Sequence, residues 1–233
     1  MLIGSRVTYP EEVGLWNVEF LQISVYHFMK DNLNQMRNCA RMCKEAGIRY
    51  VVHPIEYFVL DKETFRDLKI MAECADLALI LHDEKTPDGK RLTGEYEIAF
   101  RTALDELRSM ANISFENATD TMDVLWFWHK YADSITLDIG HVESAGLDSV
   151  GFVKSLDKEI IEKIQFVHMH RNNGWRRGLT DHWPILPDCR ELKALKELLK
   201  RKYDVGVILE INETEMILDN LKLLRMLRTE LSR

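Results

Sequence analysis

The chain has 233 residues, of which 46% are hydrophobic and 30% charged, and its formal net charge is −7. This length and composition predict a single globular domain over residues 1–233 with a sizeable buried core. The negative charge disfavours a nucleic-acid partner, because only a local basic patch would be left to attract phosphates. The four cysteines form no CxxC pair, and neither a signal peptide nor an apolar run of about 18 residues is evident. We therefore expect a cytoplasmic protein that does not enter membranes.

Short apolar runs alternate with segments of helical periodicity along the chain. Eight runs are typical of strands, and the last six lack polar alternation, as buried parallel strands do. The predicted strands are 2–8, 18–25, 49–53, 77–82, 112–116, 134–138, 164–168 and 205–210. The predicted helices are 33–46, 62–75, 93–111, 121–131, 157–163, 190–202 and 213–231. This order predicts an α/β fold, a single-domain (β/α)8 TIM barrel. The alternative is an open doubly wound sheet, but no Gly-rich phosphate loop follows the first strand.

Each of the last six strands ends on a histidine or a carboxylate. These residues are His53, His82, Glu116, Asp138, His168 and Glu210. The carboxyl ends of parallel barrel strands meet at one face, which is where TIM barrels build their active sites. Imidazole and carboxylate groups together suit a divalent ion such as Mn, Zn, Co, Fe or Mg. We expect the metal ligands to be Glu116, Asp138, His168 and Glu210.

Four segments in this region resemble motifs of the xylose isomerase-like barrels, the superfamily that holds endonuclease IV and sugar isomerases and epimerases. They are Ser-Phe-Glu-Asn at 114–117, Leu-Asp-Ile-Gly-His at 137–141, Phe-Val-His-Met-His-Arg-Asn-Asn-Gly at 166–174 and Val-Ile-Leu-Glu at 207–210. The resemblance implies a divalent-metal-dependent isomerase or epimerase, or a related lyase. Its substrate would be a small sugar or sugar phosphate, converted through a metal-stabilised enediolate. The resemblance also implies that Glu116 and Glu210 move the proton and that His141 holds a substrate oxygen.

The loop after the seventh strand carries arginines, glycines and a tryptophan without apolar periodicity, which is typical of an exposed functional loop. We expect this loop to cover the metal and to recognise a polyhydroxylated, anionic small molecule. The residues expected to do so are Arg171, Trp175, Arg176, Arg177 and His182. The alternative is a solvated loop without a binding role.

Two other functions fit the same strand ends. The first is an endonuclease IV-like phosphodiesterase acting on abasic DNA, in which His53 and His82 would bind a second metal together with Glu116. Thr180 stands where that group has a metal-binding Asp, and Asp83 follows His82 where that group has Pro-Gly. We therefore expect one tightly held ion, a weak second and no third. The second alternative is a barrel that binds a small molecule without turnover. The sequence predicts no oligomeric state.

Overall fold

Eight short apolar strands form a parallel sheet that closes on itself. The computed structural model describes residues 1–172 and 181–232. The strands are β1 Leu2–Val7, β2 Phe20–Tyr26, β3 Arg49–Ile55, β4 Leu79–His82, β5 Ile113–Glu116, β6 Ser134–Asp138, β7 Ile164–Met169 and β8 Gly206–Leu209. They pair in chain order, and β8 pairs with β1. The (β/α)8 TIM barrel is therefore confirmed.

Helices follow the strands and cover the outside of the barrel. Those in the described part of the chain are α1 Asn32–Ala46, α2 Lys62–Cys74, α3 Gly94–Arg108, α4 Val124–Tyr131, α5 Ile139–Ser144, α6 Ser149–Ser155, α7 Lys158–Lys163, α8 Arg190–Arg201 and α9 Ile217–Leu231. Local signals set several boundaries. The Asp61 side chain accepts hydrogen bonds from the first turn of α2, and Gly47 ends α1 with a φ of 67°.

The sequence-based prediction differs from the structure at some helices. The short helices α5 and α6 were not predicted, although the equally short α7 was. The segment predicted as helical from Thr121 becomes an α-helix only at Val124. Within the described residues, no helix is both long enough and apolar enough to cross a membrane.

The barrel interior is apolar at its amino-terminal end. A cluster that includes Phe20, Ile80, Phe166 and Ile208 is separate from the larger core beneath the helices. Gly206 makes room for two of these rings, because a Cβ atom there would lie 2.9 Å from Phe20 and 3.0 Å from Phe166. The charged side chains of the interior lie at the opposite, carboxyl-terminal end.

The register of the strands brings the predicted ligands to one level. His82 is paired with Glu116 across β4 and β5, and Asp138 is paired with His168 across β6 and β7. Side chains at paired positions of neighbouring strands point to the same face of a sheet. The residues that end these strands therefore lie around one ring at the mouth of the barrel.

Candidate metal centre

Three carboxylates surround one imidazole nitrogen at the mouth of the barrel. The Nδ1 atom of His168 lies 3.4 Å from Oε2 of Glu116, 3.7 Å from Oδ2 of Asp138 and 3.5 Å from Oε2 of Glu210. All four side chains are buried. The structure thus brings together the four residues predicted to bind the metal, each from a different strand end.

The charges of this group depend on one another. Burial disfavours the carboxylate charges, yet His168 and His53 hold the pKa of Glu116 well below its usual range. The pKa of Glu210 is lowered to about 2, where the attraction of His168 outweighs burial. Burial also opposes the charge of His168, but Glu210 and Glu116 raise its pKa well above the ordinary value. In the metal-free protein, three carboxylates therefore surround the imidazolium of His168.

Several buried atoms of this group lack a hydrogen-bond partner. They are Oε2 of Glu116 and both ring nitrogens of His168. Their ion pairs, the shortest of which joins Oε2 of Glu116 to Nε2 of His53 at 3.2 Å, lack the geometry of hydrogen bonds. Buried polar atoms are normally satisfied, and those that are not require a physical explanation. A divalent cation bound between carboxylate oxygens and an imidazole would satisfy Oε2 of Glu116 and one ring nitrogen of His168, so the residues present fit such an ion.

A second group of potential ligands shares Glu116 with the first. The Nε2 atoms of His53 and His82 lie 3.2 and 3.7 Å from Oε2 of Glu116. Burial lowers the pKa of His53 to about 4, more than Glu116 can offset, and the pKa of His82 is lowered for the same reason. Neutral imidazoles are the form that binds metals. The residues predicted for a second metal therefore lie together, in the protonation state that such a site needs.

His141 lies at the edge of the centre, where its side chain is 18% exposed. Its Nδ1 atom is 3.1 Å from Oε1 of Glu116, and its backbone N–H donates to Asp138 at 2.6 Å. Burial opposes its charge, but Asp138 and Glu116 raise its pKa to about 10. His141 thus lies at the mouth beside two of the predicted ligands, and its role in holding a substrate oxygen stays a prediction.

The base of the loop after β7 is held against the centre. Arg171 and Trp183 form an antiparallel bridge, and Nε of Arg171 donates to the carbonyl of Pro184 at 3.1 Å. The Nδ1 atom of His182 lies 3.0 Å from the carbonyl oxygen of Glu210. The other residues expected to bind the substrate, Trp175, Arg176 and Arg177, lie outside the described residues, as does Thr180.

Three buried residues with a role in this centre were not predicted from the sequence. Gln22 donates a short hydrogen bond to Glu210, and Asn117 bonds both the N–H and the carbonyl of Asp138 at 2.8 Å. His170 contacts Asp138 at 3.2 Å. The sequence offered one signal, for Gln22. Its amide lies in the apolar strand β2, and a buried amide needs a polar partner.

Two acidic residues after β4 connect the neighbouring loops. Asp83 accepts hydrogen bonds from three consecutive backbone N–H groups at 118–120, and Glu84 accepts two, from Val59 and Leu60. The turn after His82 therefore keeps its imidazole beside Glu116 despite its departure from Pro-Gly. A cavity of about 680 Å³, lined by residues that include Phe58 and Thr119, lies among these loops. This volume is within the range of small-molecule sites.

Comparisons with known proteins give structural likenesses only. No family model matches the chain, and no curated protein sequence matches it. A D-psicose 3-epimerase from Clostridium cellulolyticum H10, solved with D-tagatose, is 12% identical, with a TM-score of 0.54 over 96% of this chain and 90% of that one. A D-psicose 3-epimerase solved with D-fructose is 14% identical, with a TM-score of 0.56 and the same coverage. The α-L-fucosidase AlfC from Lactobacillus casei is 13% identical, with a TM-score of 0.52 over 93% of this chain and 76% of that one.

These neighbours are enzymes with TIM-barrel folds, and D-psicose 3-epimerase is a xylose isomerase-like barrel. The resemblance predicted from the motifs is thereby confirmed as a likeness of fold. At identities of 12–14%, the likeness shows the fold alone.

Proposed function

We propose that this protein is a divalent-metal-dependent isomerase or epimerase of a small polyhydroxylated substrate. The observation that carries the proposal is the arrangement of Glu116, Asp138 and Glu210 around Nδ1 of His168, all within 3.7 Å. This arrangement lies on the barrel face where TIM-barrel enzymes build their sites. That the structural neighbours include sugar epimerases is consistent with the proposal.

A bound divalent ion would supply Lewis acidity to a substrate carbonyl and make the neighbouring C–H more acidic. The chain's own residues would then move the proton. Glu116 and Glu210 approach His168 from two strands that are not neighbours, which suits removal of a proton at one face and its return at the other. His141 would donate a hydrogen bond to a substrate oxygen, because its partly exposed side chain lies at the mouth beside Glu116. Recognition of an anionic group by the loop after β7 stays a prediction from the sequence.

Incorporation of solvent deuterium tests this proposal directly. Reversible removal of a proton next to a carbonyl exchanges that hydrogen with D2O, whereas phosphodiester hydrolysis does not. We expect the protein with Mn²⁺ or Co²⁺ to label at least one member of a panel of ketoses and their phosphates, as detected by NMR. Glu116→Gln and chelator-treated protein should label none. A panel without deuterium uptake, despite tight metal binding, would count against this proposal and favour either a phosphodiesterase or a barrel that binds a small molecule without turnover.

A second candidate function is supported by the group of His53, His82 and Glu116. A phosphodiesterase of the endonuclease IV kind would use these residues for a second ion, which clamps the attacking and leaving oxygens. The net charge of −7 argues against DNA as the substrate. Incision of a duplex that contains an abasic site, lost in His82→Gln, would make this candidate the preferred one.

A further inference from the structure

His170 links a predicted metal ligand to the base of the loop that follows β7. Its side chain is fully buried. Its Nε2 atom lies 3.2 Å from the carboxylate of Asp138, and its Nδ1 atom lies 3.0 Å from the backbone nitrogen of His182. His182 has a left-handed backbone, with a φ of 56°, which a non-glycine residue adopts only when its surroundings hold it there. The imidazole therefore connects two parts of the centre that are distant in sequence.

The two hydrogen bonds determine which ring nitrogen carries the proton. A backbone N–H can only donate, so Nδ1 of His170 accepts the bond from His182 and carries no hydrogen. The hydrogen of the ring is then on Nε2, which donates to Asp138. Both nitrogens are occupied, so His170 cannot also bind an ion with His141 and His182, although the three imidazoles lie close together. The ring supports a ligand and is not one itself.

Gly140, two residues after Asp138, leaves the space that this ring occupies. A Cβ atom at position 140 would lie 2.1 Å from Cε1 and 2.4 Å from Nδ1 of His170. Contacts this short do not occur, so a larger residue at 140 would displace the imidazole. The ring has little room to move, because it is buried and bonded at both nitrogens. The glycine of the Asp-Ile-Gly-His segment is thus matched to a histidine on the neighbouring strand end.

We infer that His170 is a positioning residue, which orients Asp138 for the metal through Nε2 and anchors the loop at His182 through Nδ1. The inference rests on the proposed metal centre and adds to it a residue that sets metal affinity without touching the ion. Partners that hydrogen-bond to metal ligands typically change affinity by about 10- to 100-fold when they are removed.

Two replacements of similar shape separate the two hydrogen bonds. In His170→Asn, the amide oxygen can take the place of Nδ1 and accept from His182, but no group reaches Asp138. In His170→Gln, the amide nitrogen can take the place of Nε2 and donate to Asp138. We expect His170→Asn to weaken Co²⁺ binding by about 10- to 100-fold and His170→Gln to stay within about threefold of the wild type. Competition with a chelating dye measures the affinity, and the visible spectrum of bound Co²⁺ reports the ligand geometry.

The outcomes separate this inference from the proposal on which it rests. Equal Co²⁺ affinity and spectrum in the wild type and His170→Asn would overturn the role of His170 alone. A wild-type protein without tight metal binding would overturn the centre itself, and the role of His170 with it.

Gly140→Ala tests the same inference without altering the imidazole, and decides the matter if His170→Asn does not fold. It should lower both Co²⁺ affinity and the melting temperature, and adding His170→Ala should recover part of the lost melting temperature by freeing the space. An unchanged Co²⁺ affinity in Gly140→Ala would contradict the inference.

Discussion

The histidines at the mouth of the barrel differ in charge because their neighbours differ. His168 faces three carboxylates, which outweigh its burial and raise its pKa well above the ordinary value. For His53, burial dominates, and the nearby His82 and His168 add to it, so its pKa falls to about 4. The same residue type therefore supplies an imidazolium at one position and a neutral imidazole at another. A metal must displace a proton from His168 but not from His53.

The lowered pKa of His53 predicts a loss of stability in acid. Its folded-state pKa of about 4 lies below the ordinary 6.5, so the unfolded chain takes up the proton first as the pH falls. The stability that the neutral imidazole of His53 contributes is fully present above pH 6.5 and is lost as the pH falls towards 4. We expect the free energy of unfolding of the metal-free wild type, relative to His53→Gln, to fall by about 2 kcal/mol between pH 7 and 4.5. Urea unfolding of both proteins measures this difference. A difference that stays constant with pH would contradict the prediction.

Glu210→Gln tests the predicted ligand set. The amide keeps the volume of Glu210 and an oxygen for Gln22, but it removes the negative charge that lies 3.5 Å from His168. We expect tight metal binding to be abolished while the barrel stays folded, as followed by metal analysis after dialysis and by circular dichroism. Glu215→Gln, at an exposed position in the same region, is the matched control and should bind metal normally. Unchanged metal content in Glu210→Gln would mean that the centre is assigned to the wrong residues.

At the scale of elements, hydrogen bonds join the loops after β3, β4 and β5 to one another. Asp83 is buried and bonded to three backbone N–H groups of the loop after β5, while Glu84 holds the loop after β3. Backbone N–H groups that lose such an acceptor in a buried place cost free energy. The segment directly after His82 therefore fixes the position of the imidazole and gives the adjoining cavity its walls.

Asp83→Asn should destabilise the protein and loosen these loops. The Asn side chain keeps only one acceptor oxygen for the three backbone N–H donors at 118–120. Its amide nitrogen is itself a donor and would face one of them. We expect a loss of about 2–4 kcal/mol in the free energy of unfolding. Amide hydrogen exchange at residues 118–120 should rise in parallel. The control is Asp105→Asn in α3, where the side chain of Asp105 is 75% exposed. It should change neither the free energy of unfolding nor the exchange at residues 118–120. Equal stability of the two variants would remove Asp83 from this structural role.

At the scale of the whole molecule, the candidate metal centre depends on closure of the barrel. Its candidate ligands come from β3 to β8, and no two of them are neighbours in sequence. The unfolded chain therefore offers no comparable site, so metal binding should stabilise the folded barrel. Metal at about 100 times its dissociation constant adds about 2.7 kcal/mol, which for a chain of this size raises the melting temperature by about 5–10 °C. Calorimetry with and without chelator tests this, and Glu210→Gln should show no such increase.

The number of ions is a further property of the whole barrel. We expect one tightly held ion among Glu116, Asp138, His168 and Glu210, and a weaker second one at His53 and His82. We expect no third, because both nitrogens of His170 are already hydrogen-bonded. Anomalous scattering from crystals grown with Mn²⁺ counts the ions. Three fully occupied ions would contradict this prediction and favour the phosphodiesterase.

The sequence by itself predicted the barrel and the residues around its mouth. Alternation of apolar runs with helical segments is a local property, and the last residue of each strand is readable from the chain. For this reason β6 was predicted with its observed bounds, and the other predicted strands differ from theirs by a few residues. The convergence of His53, His82, Glu116, Asp138, His168 and Glu210 followed from the rule that parallel strands end at one face.

Only the tertiary structure determined the charge of each of these residues and the hydrogen-bond partners that hold it. The charge of each histidine depends on which carboxylates face it, and the hydrogen bonds of Gln22, Asn117 and His170 join residues far apart in sequence. The helices α5 and α6, which were not predicted, both pack against α8 on the outside of the barrel. The pattern of apolar and polar residues along the chain specifies the order of the strands and the face on which each side chain lies. The distances between side chains on different strands are set only when the barrel closes.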